Sequence, residues 1–367
     1  MKADQFYAEK IFYHANKIQM FLNQELTLPS VIELSLSGLC NHDCVYCCCS
    51  AYKSPHMLSK SQINTIISQL QSFIRAITIT GGGEPTLNHN FLYCINKIAE
   101  NGIPYGIITN GSNFTNDQMN AVVSTASFCR ISLDSINADI YNQIRRSNNP
   151  IEQVLDNIAY MVAAKHKMHT SILIGAQIVC CTQSLNDIEN TIIALKNMDV
   201  DFVQIRPMDN IPYRDFSINY QKNINYRNGL INFKSKYSDL DFKVIPNVNK
   251  FDEYYNYSVG KNYVGCPGGN FTASIGHDNK VYFCCTHIGN ERYLLGDLAY
   301  NSLIDILLSH SRKDIISNCD HIGCQYQCRN HNINKILSQL KNETATQIYD
   351  TYSKINLKSR PLHWEFL

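Results

Sequence analysis

Leu39-Cys40-Asn41-His42-Asp43-Cys44-Val45-Tyr46-Cys47 is the stretch on which the reading of this chain turns. Its C-x3-C-x2-C spacing presents three thiols from one short loop, one fewer than a closed four-cysteine iron–sulfur site takes. A three-ligand site leaves one coordination position open, which separates a reactive metal centre from a structural one. The β-branched run at 31–36 directly precedes the loop, so the loop is expected at the carboxyl end of a strand. Three ordinary readings compete. Zinc usually takes C-x2-C pairs, and no partner pair lies nearby. A redox C-x-x-C would use Cys44 and Cys47 and make Cys40 a coincidence. Inert buried cysteines would not stand at set spacing in a polar loop. Cys48 and Cys49 extend the run as bystanders, because one loop cannot aim five near-adjacent thiols at one cluster.

Working outward, short β-branched runs at 31–36, 76–80, 105–109, 128–133, 171–179 and 202–205 alternate with segments of helical period. Ser59 with Gln62 forms a capping box, and Leu58 with Ile63 the matching staple. Thr115 with Gln118, flanked by Phe114 and Met119, repeats the device. Leu185, Ile188, Ile192 and Leu195 give a third helix its apolar stripe. Six β-α units imply a parallel sheet with right-handed crossovers. Six are too few for a closed eight-stranded barrel, so the expected α/β fold is a partial (β/α)6 TIM-like barrel. Chemistry in such folds collects at the carboxyl ends of the strands. The loops at 40–47, 81–85, 110–111 and 134–135 all follow strands and are expected to converge on one mouth.

The 367 residues suffice for one large domain or two ordinary ones, and the formal net charge of +1 gives no electrostatic case for nucleic acid or a membrane surface. No run of eighteen apolar residues and no basic-then-apolar start is present, so a soluble, cytoplasmic protein is expected. Fifteen cysteines are then unusual. Five fall in 40–49 and six in 266–328, with only Cys94, Cys129, Cys180 and Cys181 outside. Disulfide frameworks spread their cysteines to close loops, whereas metal sites bunch them. Residues 207–262 are richer in Asn and Tyr, with one helix expected near 219–237. The second cysteine group sits among short β runs at 271–275 and 280–283, followed by a helix at about 333–341.

Cys40-x3-Cys44-x-Tyr46-Cys47 resembles the signature of the radical S-adenosylmethionine (SAM) superfamily, including the aromatic residue before the third cysteine. The resemblance implies a [4Fe–4S] cluster on Cys40, Cys44 and Cys47, with SAM chelating the fourth iron. It further implies reductive cleavage of SAM to a 5′-deoxyadenosyl radical that takes a hydrogen atom from substrate, and a flavodoxin- or ferredoxin-type electron donor. Gly81-Gly82-Gly83-Glu84-Pro85 looks like the family's GGE motif, which implies contacts from Gly82, Gly83 and Glu84 to the SAM amino group. Tandem glycines let main-chain amides approach a ligand closely, and Glu84 can accept from an ammonium. Ser132-Leu133-Asp134 resembles the family's Ser-x-Asp near the SAM ribose and carboxylate. Arg145 and Arg146 compete as the arginine pairing that carboxylate. Asn110 and Ser132 compete with ordinary strand-end capping.

Gly265-Cys266-Pro267-Gly268, Phe283-Cys284-Cys285-Thr286, Leu295-Gly296-Asp297-Leu298 and Cys319, Cys324, Cys328 look like the auxiliary-cluster extension called SPASM, or its shorter form, twitch. Six cysteines are available where a full SPASM domain uses seven or eight, so one auxiliary [4Fe–4S] cluster is expected. Its candidate ligands are Cys266, Cys284 or Cys285, Cys324 and Cys328, with Cys319 competing for the last place. A zinc ribbon is the structural competitor. The expected organisation is an N-terminal helical extension (1–30), the core (31–210), a connector (211–262), a small α+β iron–sulfur domain (263–335), and a helix and tail (336–367). Cys180 or Cys181, facing the same mouth, is a candidate hydrogen-atom donor; the alternative is a small buried apolar residue. His42, His56, His277 and His287 are acid or base candidates, with ordinary polar surface as the alternative.

The resemblance implies hydrogen abstraction followed by one-electron oxidation. Peptide or protein maturation is the first expectation, on the family's usual substrates. About thirty residues before the first strand leave little room there for a leader-recognition domain. The single auxiliary cluster also resembles twitch-type dehydrogenases of sugars or aminocyclitols, so oxidation of a small hydroxylated metabolite is the alternative. A non-catalytic iron–sulfur scaffold leaves the loop at 81–84 unexplained.

Overall fold

The computed structural model describes residues 8–208, 224–256, 261–321, 324, 328–341, 343 and 363–367. All six expected core strands form: β1 (Val31–Ser35), β2 (Ala76–Thr80), β3 (Tyr105–Thr109), β4 (Phe128–Ser132), β5 (Leu173–Cys180) and β6 (Phe202–Pro207). Helix α1 (Ala15–Leu22) precedes them, and α2 (Lys60–Leu70), α3 (Phe91–Glu100), α4 (Asn116–Thr125), α5 (Ala138–Arg145), α6 (Ile151–Met168) and α7 (Leu185–Asn197) lie between them. The caps act as expected. Ser59 accepts from the Gln62 amide while the Ser59 amide donates to the Gln62 side chain, and Thr115 with Gln118 does the same. Ser184 with Asp187 adds a third box before α7. Helix α2 buries Ile63, Ile66, Ile67 and Leu70 completely. Each such side chain contributes about 1.5–3 kcal/mol.

The described residues form one ten-stranded sheet, ordered β10-β9-β8-β1-β2-β3-β4-β5-β6-β7. The part from β1 to β7 is parallel throughout, in keeping with a partial TIM-like barrel. Strand β7 (Lys243–Pro246) follows α8 (Ile224–Tyr237) and precedes α9 (Val248–Asn256). It adds a seventh parallel strand that the sequence pattern did not announce, since only Val244 of its four residues is buried. The expected helix at 219–237 is α8; residues 219–223 lie outside the described residues.

The second cysteine segment continues the same sheet. Strand β8 (Thr272–Ile275) lies parallel beside β1, with Ile32 opposite Ala273, and β9 (Lys280–Tyr282) and β10 (Leu294–Asp297) follow antiparallel. The free edge of β1, otherwise a row of unpaired amides and carbonyls, is thereby covered. Helices α10 (Leu303–Leu307), α11 (His310–Asn318) and α12 (His331–Leu340) complete this part.

Strand alternation sorts the barrel interior into layers. At the amino ends, Val31, Ala76, Phe128, Leu173 and Phe202 form an apolar plug completed by Phe366 of the tail, whose ring meets Phe128 edge-on at 5.2 Å. Higher in the lumen stand polar residues: Glu33, Thr78, Arg130, Gln177, Gln204 and Arg206. The mouth above them carries the cysteine loop. No helix among the described residues is long and apolar enough to cross a membrane.

Candidate active site

The loops after β1 to β4 converge as expected. Cys40, Cys44, Tyr46, Cys47, Gly82, Gly83, Glu84, Asn110, Ser132 and Arg145 line one cavity of about 530 Å³. The same cavity is lined by Cys266, Cys284, Cys285, Cys319, Cys324 and Cys328. Asp134 does not join them; it is fully buried behind the cavity wall.

The glycine run serves the cysteine loop directly. A Cβ on Gly83 would lie 2.0 Å from the Leu39 carbonyl oxygen, immediately before Cys40. A Cβ on Gly81, whose φ is +136°, would fall 2.7 Å from the Ser35 Cα. Two loops therefore pack backbone to backbone, and only glycine permits it. The Gly82 amide donates to Ser35 Oγ (3.1 Å), and the Glu84 amide donates to the Leu39 oxygen (2.7 Å). His277, from the turn after β8, sits against both loops: its ring lies 2.7 Å from a Cβ built on Gly38 and 3.1 Å from one on Gly82.

Glu84 is committed to its own fold. Oε1 accepts from Thr109 Oγ1 (2.6 Å), Thr86 Oγ1 (2.8 Å) and the Thr86 amide (3.2 Å), while Oε2 accepts from the Asn110 amide (2.7 Å). Burial raises its pKa, and the four hydrogen bonds oppose that rise. Only Oε2 keeps acceptor capacity for an incoming ammonium. Asn110 is also engaged: its Nδ2 donates to Asn41 Oδ1 (2.7 Å) inside the cysteine loop, and its Oδ1 accepts from Ser112. Both residues tie β2 and β3 to the thiol-bearing loop.

Arg145 and Arg146 are distinguished by the end of α5. Arg145 is buried and lies 2.7 Å from Asp134 Oδ2 through Nε. Arg146 takes the left-handed C-cap conformation and is largely exposed. Asp134 also accepts from Tyr46 Oη (2.7 Å) and the Val179 amide (2.8 Å). Arg145 Nη1 approaches Cys44 Sγ at 3.6 Å, and the guanidinium carbon stands 5.4 Å from the centre of the Tyr46 ring. Arg145 Nη2 is buried with no hydrogen-bond partner among the described residues. Burial pushes the Cys40 thiol up to about 11 and that of Cys47 to about 12. A cation bound there displaces both protons.

Cys180 and Cys181 do not reach the cavity. Both are fully buried, and Cys181 Sγ packs on the Met208 sulfur at 3.8 Å. They are small apolar core residues in this fold. In the second thiol group, Cys266 Sγ meets Asn334 Nδ2 at 3.5 Å, and burial with the neighbouring Cys328 pushes its thiol up to about 12. Cys284 is raised by burial and by the same two cysteines, Cys266 and Cys328. Cys319 and Cys324 share a hydrogen bond, which lowers the first and raises the second, and they stand close enough to the other thiols for Cys319 to act on Cys266 and Cys328 on Cys324.

Sequence reasoning overlooked the charge of the lumen. Seven lysine and arginine side chains line the cavity, Lys10, Arg130, Arg145, Arg206, Lys250, Lys261 and Arg329, against two glutamates, Glu33 and Glu84. Arg329 pairs with Glu33, and Arg130 Nη1 donates to Gln204 Oε1 at 2.6 Å. Arg130 and Arg206, charged residues within mainly apolar strands, were the available signal.

The fold is a partial parallel barrel with the three-cysteine loop at its mouth. The Radical SAM superfamily model matches residues 34–179, and a radical SAM domain therefore occupies that span. Among curated proteins, the chain is 28% identical over 174 residues to an S-adenosylmethionine-dependent nucleotide dehydratase of Selenomonas ruminantium, covering 46% of this chain and 62% of that protein. It is 29% identical over 123 residues to the mycofactocin maturase MftC of Mycolicibacterium smegmatis, covering 33% and 31%. The chain spans about half the length of the curated relatives it matches. Among solved structures it is similar to Streptococcus suis SuiB bound to precursor peptide SuiA (TM-score 0.64, 13% identity, 82% of this chain and 69% of that one). It is also similar to anSMEcpe with bound AdoMet (TM-score 0.61, 14% identity, 89% and 100%). At such identities the structural likeness speaks for the fold alone.

Proposed function

We propose that this chain is a radical SAM enzyme that abstracts a hydrogen atom from a peptide or protein substrate, with an auxiliary cluster assisting its oxidation. One observation carries the reading: the Cys40–Cys44–Cys47 loop and the second thiol group line the same 530 Å³ cavity. A [4Fe–4S] cluster on Cys40, Cys44 and Cys47 would supply, with SAM, the one-electron cleavage that makes hydrogen abstraction accessible. Arg145 Nη2, buried beside Cys44, suits the SAM carboxylate, and Asp134 with Tyr46 orients that guanidinium. Glu84 and Asn110 brace the loop that presents the thiols, while Gly82, Gly83 and Ser132 leave room on the cavity wall. The auxiliary cluster would rest on Cys266, Cys284 and Cys328 of the expected set, whose other candidates, Cys285, Cys319 and Cys324, line the same cavity. A peptide substrate is favoured by the fold shared with peptide-bound SuiB and by the maturase among the relatives.

A second reading, a small anionic metabolite, is favoured by the cationic lumen and by the nucleotide dehydratase relative. Part of that positive charge faces the cysteine thiols; the remainder attracts a carboxylate or phosphate.

Anaerobic reconstitution with iron and sulfide, followed by SAM and dithionite, tests the class. Formation of 5′-deoxyadenosine that falls to background in Cys44→Ala supports it; no product, or an unaffected variant, overturns it. Nucleoside triphosphates that raise 5′-deoxyadenosine yield and are themselves consumed would move the assignment to the second reading. A short peptide encoded beside this chain that loses hydrogen by mass supports the first.

A further inference from the structure

Cys319, His321 and Cys324 bring one imidazole nitrogen and two sulfurs within 4.8 Å of one another. Cys319 Sγ lies 3.7 Å from His321 Nδ1, and Cys324 Sγ lies 3.6 Å from Nε2 of His287. In a tetrahedral zinc site, with Zn–S about 2.3 Å and Zn–N about 2.0–2.1 Å, neighbouring ligand atoms stand about 3.5 Å apart. A four-iron cluster places each protein ligand on a different iron, so its ligand atoms are held farther apart than donors sharing one ion. The observed spacing fits a single ion.

We infer that Cys319, His321 and Cys324 bind one zinc-class divalent cation, distinct from a cluster on Cys266, Cys284 and Cys328, with His287 beside the site at 3.6 Å from Cys324 Sγ. The donor set is mixed thiolate and imidazole, which suits zinc. The surroundings orient it. Tyr293 stacks flat on the His287 ring (centroids 3.8 Å apart, planes 11°), and its hydroxyl lies 4.0 Å from Cys319 Sγ. Neighbours that fix ring and sulfur orientation are characteristic of metal sites. The ion would fix the segment that follows α11, against which His287 of the turn after β9 packs through Cys324. It thereby fixes one wall of the cavity without entering the SAM site.

The inference goes beyond the proposed enzymatic function, and metal content tests it independently. The full chain, purified anaerobically, is assayed for zinc and iron by mass spectrometry. One zinc per chain is expected, lost in Cys319→Ser and in His321→Ala with iron unchanged, and retained in Cys266→Ser with iron reduced. His321→Cys, which keeps the number of protein donors, retains the zinc and guards against simple misfolding in the alanine variant. Cobalt(II) in place of zinc is expected to show tetrahedral d–d bands with thiolate-to-cobalt charge transfer. Absence of zinc after zinc supplementation overturns the inference, as does an octahedral cobalt spectrum. Loss of iron in both Cys319→Ser and His321→Ala also overturns it and assigns these residues to a cluster. Cys44→Ala abolishes SAM cleavage under the proposed function yet leaves the zinc in place, so the two readings fail separately.

Discussion

The Leu39 carbonyl oxygen accepts the Glu84 amide at 2.7 Å and lies 2.0 Å from where a Cβ on Gly83 would stand. The glycine loop and the cysteine loop are thus one packed unit. Gly83→Ala meets backbone on that side and has no flexible neighbour to displace, so it should cost about 2–4 kcal/mol and reduce iron bound at the three-cysteine loop. Gly82→Ala meets side chains rather than backbone, the His277 ring at 3.1 Å and Ser35 Oγ at 4.0 Å, and should cost far less. Denaturant midpoints and iron content of the two variants check the contrast.

The Asp134–Arg145 pair is buried on both sides. Asp134→Ala leaves an uncompensated guanidinium behind the cavity wall and is expected to destabilise by about 3–5 kcal/mol. Tyr46→Phe removes one hydrogen bond to the same carboxylate and should cost about 1.5–3 kcal/mol. Equilibrium dialysis with SAM should show weaker binding in both, because Arg145 loses its fixed orientation.

Arg312 is completely buried among backbone carbonyls. Nη1 donates to Thr27 O (2.6 Å) and Leu307 O (2.7 Å), and Nη2 donates to Gly269 O (2.7 Å). It staples the approach to β1, the end of α10 and the segment before β8. Burial pushes its pKa down to about 9. Arg312→Met strands three acceptors and should cost about 3 kcal/mol or more, with Arg312→Lys intermediate, measured by urea unfolding.

Acid should loosen the contact between the N-terminal helix and the tail. His14 and His363 are each pushed down to about 4, mainly by burial, from an ordinary value of 6.5. The unfolded chain therefore takes up protons below about pH 6.5 while the folded chain does not until about pH 4. Their contribution is fully present above pH 6.5 and is lost as pH falls from there toward 4. The melting temperature should decline across that window, and His14→Gln, which no longer titrates, should flatten the slope.

The strands, their parallel order and their caps were legible because each rests on local pattern: β-branched runs, the Ser59–Gln62 box, the spacing of apolar residues in α7. The thiol loop was legible for the same reason, since Cys40, Cys44 and Cys47 share one turn of chain. Strand β7 was not, being four residues with one buried side chain. Nor was the pairing of β8 with β1, which joins residues more than two hundred apart in sequence.

By itself the sequence determined the chemical inventory: three thiols on one loop, a glycine run on the next, and a second cysteine group downstream. Tertiary structure decided how that inventory is used. It commits Glu84 and Asn110 to bracing, withdraws Asp134 behind Arg145, seals Cys180 and Cys181 in the core, and seats His277 on the glycine loop. It also brings His321 and His287 to Cys319 and Cys324. The reason is physical: a residue type fixes which bonds a side chain can make, but which partner lies within bonding distance depends on strand register and loop packing across the whole chain.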